Sequence, residues 1–151
     1  MPGSKQPRMS RSMAPRVETR GRSRALQALY AWDMRDGGDL ARVAESIWED
    51  LAVSPDEREF AGALLRILIA DGPAVDAELA EVTVNWRLER MGAIERCALR
   101  LGAAELRQGA TPPRVVIQEC VRLAERFGSE PSARFVNGVL DALARRMGRL
   151  T

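Results

Sequence analysis

The side chains in this chain best equipped for chemistry are its arginines, and that chemistry is anion recognition. A guanidinium is a planar fork of donors that pairs with a phosphate or a guanine edge through two hydrogen bonds, and it can stack on an exposed base. Up to Arg24 the chain carries Lys5, Arg8, Arg11, Arg16, Arg20, Arg22 and Arg24 against Glu18 alone. That is a balance of +6, which leaves −4 for the remainder under the total of +2. A basic arm in front of a mildly acidic body attracts polyanions, of which nucleic acid is the commonest. A solvated, disordered tail is the alternative. Tyr30 and Trp32 lie close to the arm and serve either as contacts or as core. Arg114 and Arg134, at the starts of the last two helices, either extend a basic face or simply face water.

Catalytic chemistry is poorly provided for. The chain has no histidine, which removes the commonest general base near neutral pH and the commonest metal ligand. Cys97 and Cys120 each fall on an apolar helix face without a third or fourth soft ligand, so core packing is their expected role. No glycine-rich phosphate loop is present, and the carboxylates are scattered over solvated faces. The expectation is a binding protein, not an enzyme, with no metal and no cofactor.

The elements that must position these arginines are helices. At 151 residues the chain is long enough for one domain with a real core and no disulfide framework. It has neither an apolar signal core at its start nor an eighteen-residue apolar run, so no membrane role and a cytoplasmic location are expected. The first twenty residues or so lack apolar periodicity and read as a disordered arm, followed by a helical domain over 21–147. A first helix from about Arg22 carries Ala25, Leu26, Leu29, Tyr30 and Trp32 and stops at Asp36-Gly37-Gly38. Arg22 and Arg24 at its start oppose the helix dipole, a hint that something else selects them. Asp39 caps a second helix. Ser54-Pro55-Asp56-Glu57 opens a third with a capping box and an N1 proline, and Asp71-Gly72-Pro73 ends it. A fourth runs from Pro73 to near Asn85, and Trp86, Leu88 and Met91 form a short helical linker. A fifth, GAIERCALRLGAAELRQG, closes near Gly109.

Thr111-Pro112-Pro113 starts a sixth helix, with Val116, Cys120, Leu123 and Phe127 inward. Gly128 supplies a left-handed turn, Ser129 caps a seventh helix, and Gly138 marks a close helix crossing. The fold class is all-α, a compact bundle of about seven helices.

Four blocks in order, RALQALYAWD, GAIERCALRLGAAEL, PPRVVIQECVRLA and LAERFGSEPSARFVNGVLDAL, resemble the NusB family of bacterial transcription antitermination factors from about Arg20 to Leu143. The resemblance implies two packed helical subdomains. It also implies binding to the boxA element of nascent ribosomal RNA together with NusE, a small-subunit ribosomal protein, within an RNA polymerase antitermination complex. The family's arginine-rich segment corresponds to Arg20, Arg22 and Arg24, which become phosphate and base contacts, with Arg16 in the longer arm making up for a sparser cluster. Arg134 and Phe135 lie on the family's RNA face, and Phe135 is core otherwise. Tyr30 and Glu95 resemble the NusE-facing surface; packing and solvent are their other roles. Pro131 stands where familiar members often carry an acid, which removes a charge and an amide donor from that contact. Whether the free protein is a monomer or a homodimer stays open. Two other readings are a protein-interaction module in ribosomal RNA maturation and a helix-turn-helix DNA regulator, the latter disfavoured by the apolar Phe135–Leu143 segment.

Overall fold

The computed structural model describes the backbone of residues 2–83 and 88–151, with side chains from residue 16 onward. Asn85 and Trp86, expected at the end of the fourth helix and in the linker, lie outside the described residues. Among those described the chain is all-helical: α1 (Pro2–Met34), α2 (Leu40–Asp50), α3 (Pro55–Val82), a 3-10 turn at Leu88–Arg90, α4 (Ala93–Gln108), α5 (Pro113–Phe127) and α6 (Glu130–Arg146). They form two groups of three: α1 holds α2 and α3, and α4 holds α5 and α6. Helix α4 also packs on α1 and α3, which makes it the joint between the groups.

Local signals set most boundaries. Asp39 accepts from the Arg42 amide at 3.3 Å, Ser54 from the Glu57 amide at 3.3 Å and Ser129 from the Ser132 amide at 3.2 Å, so all three act as N-caps. Gly109, with φ 76°, ends α4 in the left-handed conformation. Other expectations need correction. Arg16–Arg24 already lie inside α1, so Arg22 and Arg24 do not sit at a helix start and the dipole argument does not apply to them. Asp71-Gly72-Pro73 does not end a helix. Asp71 leaves helical geometry (φ −124°, ψ 21°) and α3 kinks and resumes, because Val75 and Leu79 beyond it are fully buried in the same core. Thr111 makes no cap; Pro112 takes that place.

The expectation for Gly138 also needs correction. Gly138 faces open space. Close crossings fall instead at Gly102, where an added Cβ would lie 2.6 Å from Leu140 and 3.1 Å from Cys120, and at Gly21, where it would lie 2.7 Å from Phe60. Gly128 is not left-handed (φ −120°), and glycine is required there because a Cβ would lie 2.7 Å from the Ala124 carbonyl oxygen. Cys97 and Cys120 are fully buried core residues. Burial pushes the Cys97 thiol up to about 12 and that of Cys120 higher still, so both behave as small apolar groups.

Candidate nucleic-acid interface

Residues 16, 20, 24 and 27 recur at helical spacing and share one face of α1. Arg16 and Arg20 are exposed and Arg24 is half-buried. Arg24 donates to Glu57 at 3.2 Å and to Gln27 at 3.3 Å. Opposite this row, the polar face of α5 presents Arg122, Arg126 and Phe127. Between the two helices runs a groove of about 470 Å³, lined by Arg20, Ser23, Arg24 and Gln27 on one side and by Arg122, Arg126 and Phe127 on the other, with the paired side chains of Arg22 and Glu119 also in its lining. Phe127 was expected in the core but is 37% exposed, with the Arg126 guanidinium 5.0 Å from its ring centre. A guanidinium and an aromatic ring side by side on the surface form a platform on which an unpaired base can stack.

Arg22 behaves differently. It is only 2% exposed and donates to both oxygens of the fully buried Glu105, at 2.8 and 2.6 Å. It also donates to Glu119 at 3.1 Å and lies 5.1 Å from the Phe60 ring centre. Burial opposes its charge, but the hydrogen bond to Glu105 and the charges of Glu105 and Glu119 outweigh that and hold its pKa above the ordinary value. A guanidinium committed in this way has little to offer a phosphate. The expectation that Arg22 contacts RNA therefore gives way to a positioning role: it ties α1 to α4 and α5, and so sets which face of α1 looks across the groove.

Arg134 and Phe135 fall elsewhere. Arg134 is exposed and donates to Glu130 at 2.9 Å, one turn earlier on α6. Phe135 is half-buried against the core and borders a second cleft of about 270 Å³ with Arg90, Met91, Ser129 and Pro131. Pro131 is exposed in the first turn of α6. Glu95 lines this cleft, but its two oxygens are engaged internally. One accepts from the Gly92 amide at 2.9 Å and the other from the Ser132 hydroxyl at 2.8 Å, pinning the start of α4 to the start of α6. That weakens Glu95 as a partner contact. Tyr30 is exposed on α1, with exposed Met34 one turn further on, and remains open to a partner. The residues that sequence reasoning missed are Arg122, Arg126, Phe127 and Glu119. A signal existed in the pairing of Arg122 and Arg126 one turn apart, next to an aromatic at the helix end.

Two helical rows of arginine with hydroxyls and an exposed aromatic along one groove define a helical module suited to a flexible polyanion. The sequence comparisons give the particular family. The profile of the NusB family matches residues 19–145, and the chain belongs to that family. It is 42% identical over 131 residues to the transcription antitermination protein NusB of Sorangium cellulosum, covering 86% of this chain and 93% of that one. Among solved structures it superposes on T. maritima NusB with a TM-score of 0.79 at 30% identity, covering 85% of this chain and 90% of that one. A complex of the antitermination factors NusB and NusE with double-stranded RNA gives a TM-score of 0.80 at 28% identity, covering 87% and 98%.

Proposed function

We propose that this protein is an antitermination factor that binds single-stranded RNA of the boxA type through the α1–α5 groove, together with NusE, and helps RNA polymerase read through terminators in ribosomal RNA transcription. The observation that carries the reading is the groove, with cationic rows on both walls and the Arg126–Phe127 stack at one end. The kinship with NusB proteins supplies the biological setting. A groove between helices suits a single strand: phosphates follow the arginine rows while splayed bases reach the aromatic. The mechanism is assembly. A modest RNA contact and a protein contact near Tyr30 and Met34 raise each other's local concentration. No bond is made or broken, so the protein acts without being an enzyme and works in the cytoplasm where transcripts emerge. No described helix is long and apolar enough to cross a membrane. Phe135, which borders the second cleft, and its exposed neighbour Arg134 extend the proposed RNA surface onto α6.

The test is a competition of single-stranded boxA-like RNA against scrambled RNA and duplex DNA, with and without NusE. Preference for the boxA-like strand, increased by NusE, is expected. Equal binding of every polyanion, unaffected by NusE, would leave only nonspecific charge attraction and overturn the proposal.

A further inference from the structure

Glu119 lies within the cationic groove, and its presence there needs a reason. A carboxylate beside a phosphate path repels the ligand the groove is built for. Arg22 already has both oxygens of the buried Glu105 as its counter-ion, so neutralising Arg22 does not by itself require Glu119. The two oxygens of Glu119 are unequally used. One accepts from the Thr19 hydroxyl at 2.8 Å and from Arg22 at 3.1 Å, which fixes the carboxylate in place. The other receives a long 3.4 Å contact from Arg122, whose side chain is 69% exposed and free to swing away, while that of Glu119 is 11% exposed.

We infer that Glu119 reads one unpaired guanine of the bound strand, an inference that rests on the groove being the strand's path. The second carboxylate oxygen can take a base donor once Arg122 has moved to a phosphate, where a charge-assisted bond replaces the one it leaves. Guanine alone presents two adjacent donors, N1–H and the N2 amino group, with no lone pair between them to oppose the carboxylate. Adenine and cytosine place a ring-nitrogen lone pair beside their amino group, and the single donor of uracil lies between two carbonyls. The ranking is therefore guanine first, adenine and cytosine next, uracil last. Phe127 lies eight residues further along α5, about 12 Å of helix, so the stacked base and the read base are different nucleotides of one strand.

The test measures binding of the full chain, by fluorescence anisotropy, to short oligouridines whose central residue is U, A, C or G. Wild type should bind the guanosine oligonucleotide about ten-fold more tightly than oligouridine, the size expected of one hydrogen bond to a charged group. E119Q turns an amide donor toward the groove and should lose the guanine advantage, while removing a negative charge from the phosphate path should tighten binding of all four oligonucleotides alike. E119D, which retracts the carboxylate but keeps its charge, should lose the advantage as well. Equal binding of all four oligonucleotides by wild type, or a guanine preference that survives in E119Q, overturns the inference and leaves the groove reading intact. An R20A/R126A variant that binds every oligonucleotide as tightly as wild type would show that the strand runs elsewhere, and both readings would fall.

Discussion

Replacing Arg22 and Glu105 together with leucine separates a positioning role from a contact role. Arg22→Ala alone leaves Glu105 fully buried and without its two guanidinium hydrogen bonds. Stranding one partner of a buried ion pair costs about 3–5 kcal/mol, a large share of a typical domain stability of about 5–15 kcal/mol. Removing both charges avoids that penalty, since a buried pair exchanged for apolar side chains of similar volume is often neutral or better. Two losses remain: the ring contact to Phe60, about 0.5–2 kcal/mol, and the Arg22 bond to Glu119. In urea denaturation R22A should therefore fall by about 3–5 kcal/mol and R22L/E105L by about 1–2 kcal/mol. Two leucines in the buried site hold α1 in its orientation by packing, and the deleted pair is neutral, so the field over the groove changes little and RNA affinity of the double variant should stay within about three-fold of wild type. Its salt slope should be unchanged. A folded R22L/E105L whose slope falls by about 0.7, the value for one phosphate contact on a single strand, would show that Arg22 touches RNA and would refute the positioning role.

Gly138 and Gly102 should respond with opposite signs. Gly138→Ala adds a methyl group where nothing lies within 4 Å and should stabilise by about 0.5–1 kcal/mol. Gly102→Ala drives one into buried Leu140 and Cys120 and should destabilise by about 1–2 kcal/mol, overpacking outweighing helix propensity; equal signs in urea melts would contradict the packing. Asp33 accepts from Arg96 at 2.8 and 2.6 Å, and that hydrogen bond, together with the charges of Arg96 and Arg100, outweighs burial and lowers its pKa. Its stabilisation is present above the unfolded carboxylate pKa of about 4 and is lost as pH falls through the lower folded value. Stability of D33N should accordingly change less than that of wild type below about pH 4, and parallel curves would argue against the ion pair. Deleting residues 1–15, which removes Lys5, Arg8 and Arg11, should weaken RNA binding and lower its salt slope; an unchanged slope would take the arm out of the interface.

What could be read from the sequence was what neighbours in the chain decide. Asp39, Ser54 and Ser129 act as caps because a cap is a contact three residues long, and Gly109 ends α4 by its own backbone conformation. What escaped depends on residues far away. Gly72-Pro73 carries every local mark of a terminator, yet the core takes up Val75 and Leu79 beyond it and only a kink remains. Gly138 and Gly102 have similar helical surroundings, and only the approach of α6 to α4 and α5 shows which one is needed for packing. Phe127 fits the inward period of α5 but falls on its last turn, where the core has ended. Glu95 looked like a surface acid because its bond to Ser132 spans 37 residues.

The arginine-rich segment shows the same division within a single helix. Neighbours two apart on an α-helix point about 200° away from each other, so Arg22 cannot share a face with Arg20 or Arg24. Composition counts three equivalent cations; the helix sorts them into an outward row and one inward anchor. The anchor has its mates 83 and 97 residues further on, beyond the reach of any local pattern. It also explains the orientation of the row. With Arg22 held between Glu105 and Glu119, α1 cannot roll about its axis without breaking a buried ion pair, and so Arg20 and Arg24 stay turned toward Arg122 and Arg126. Within this segment the salt dependence of RNA binding should therefore count Arg20 and Arg24 and not Arg22, and the buried cation contributes to recognition by keeping the others aimed.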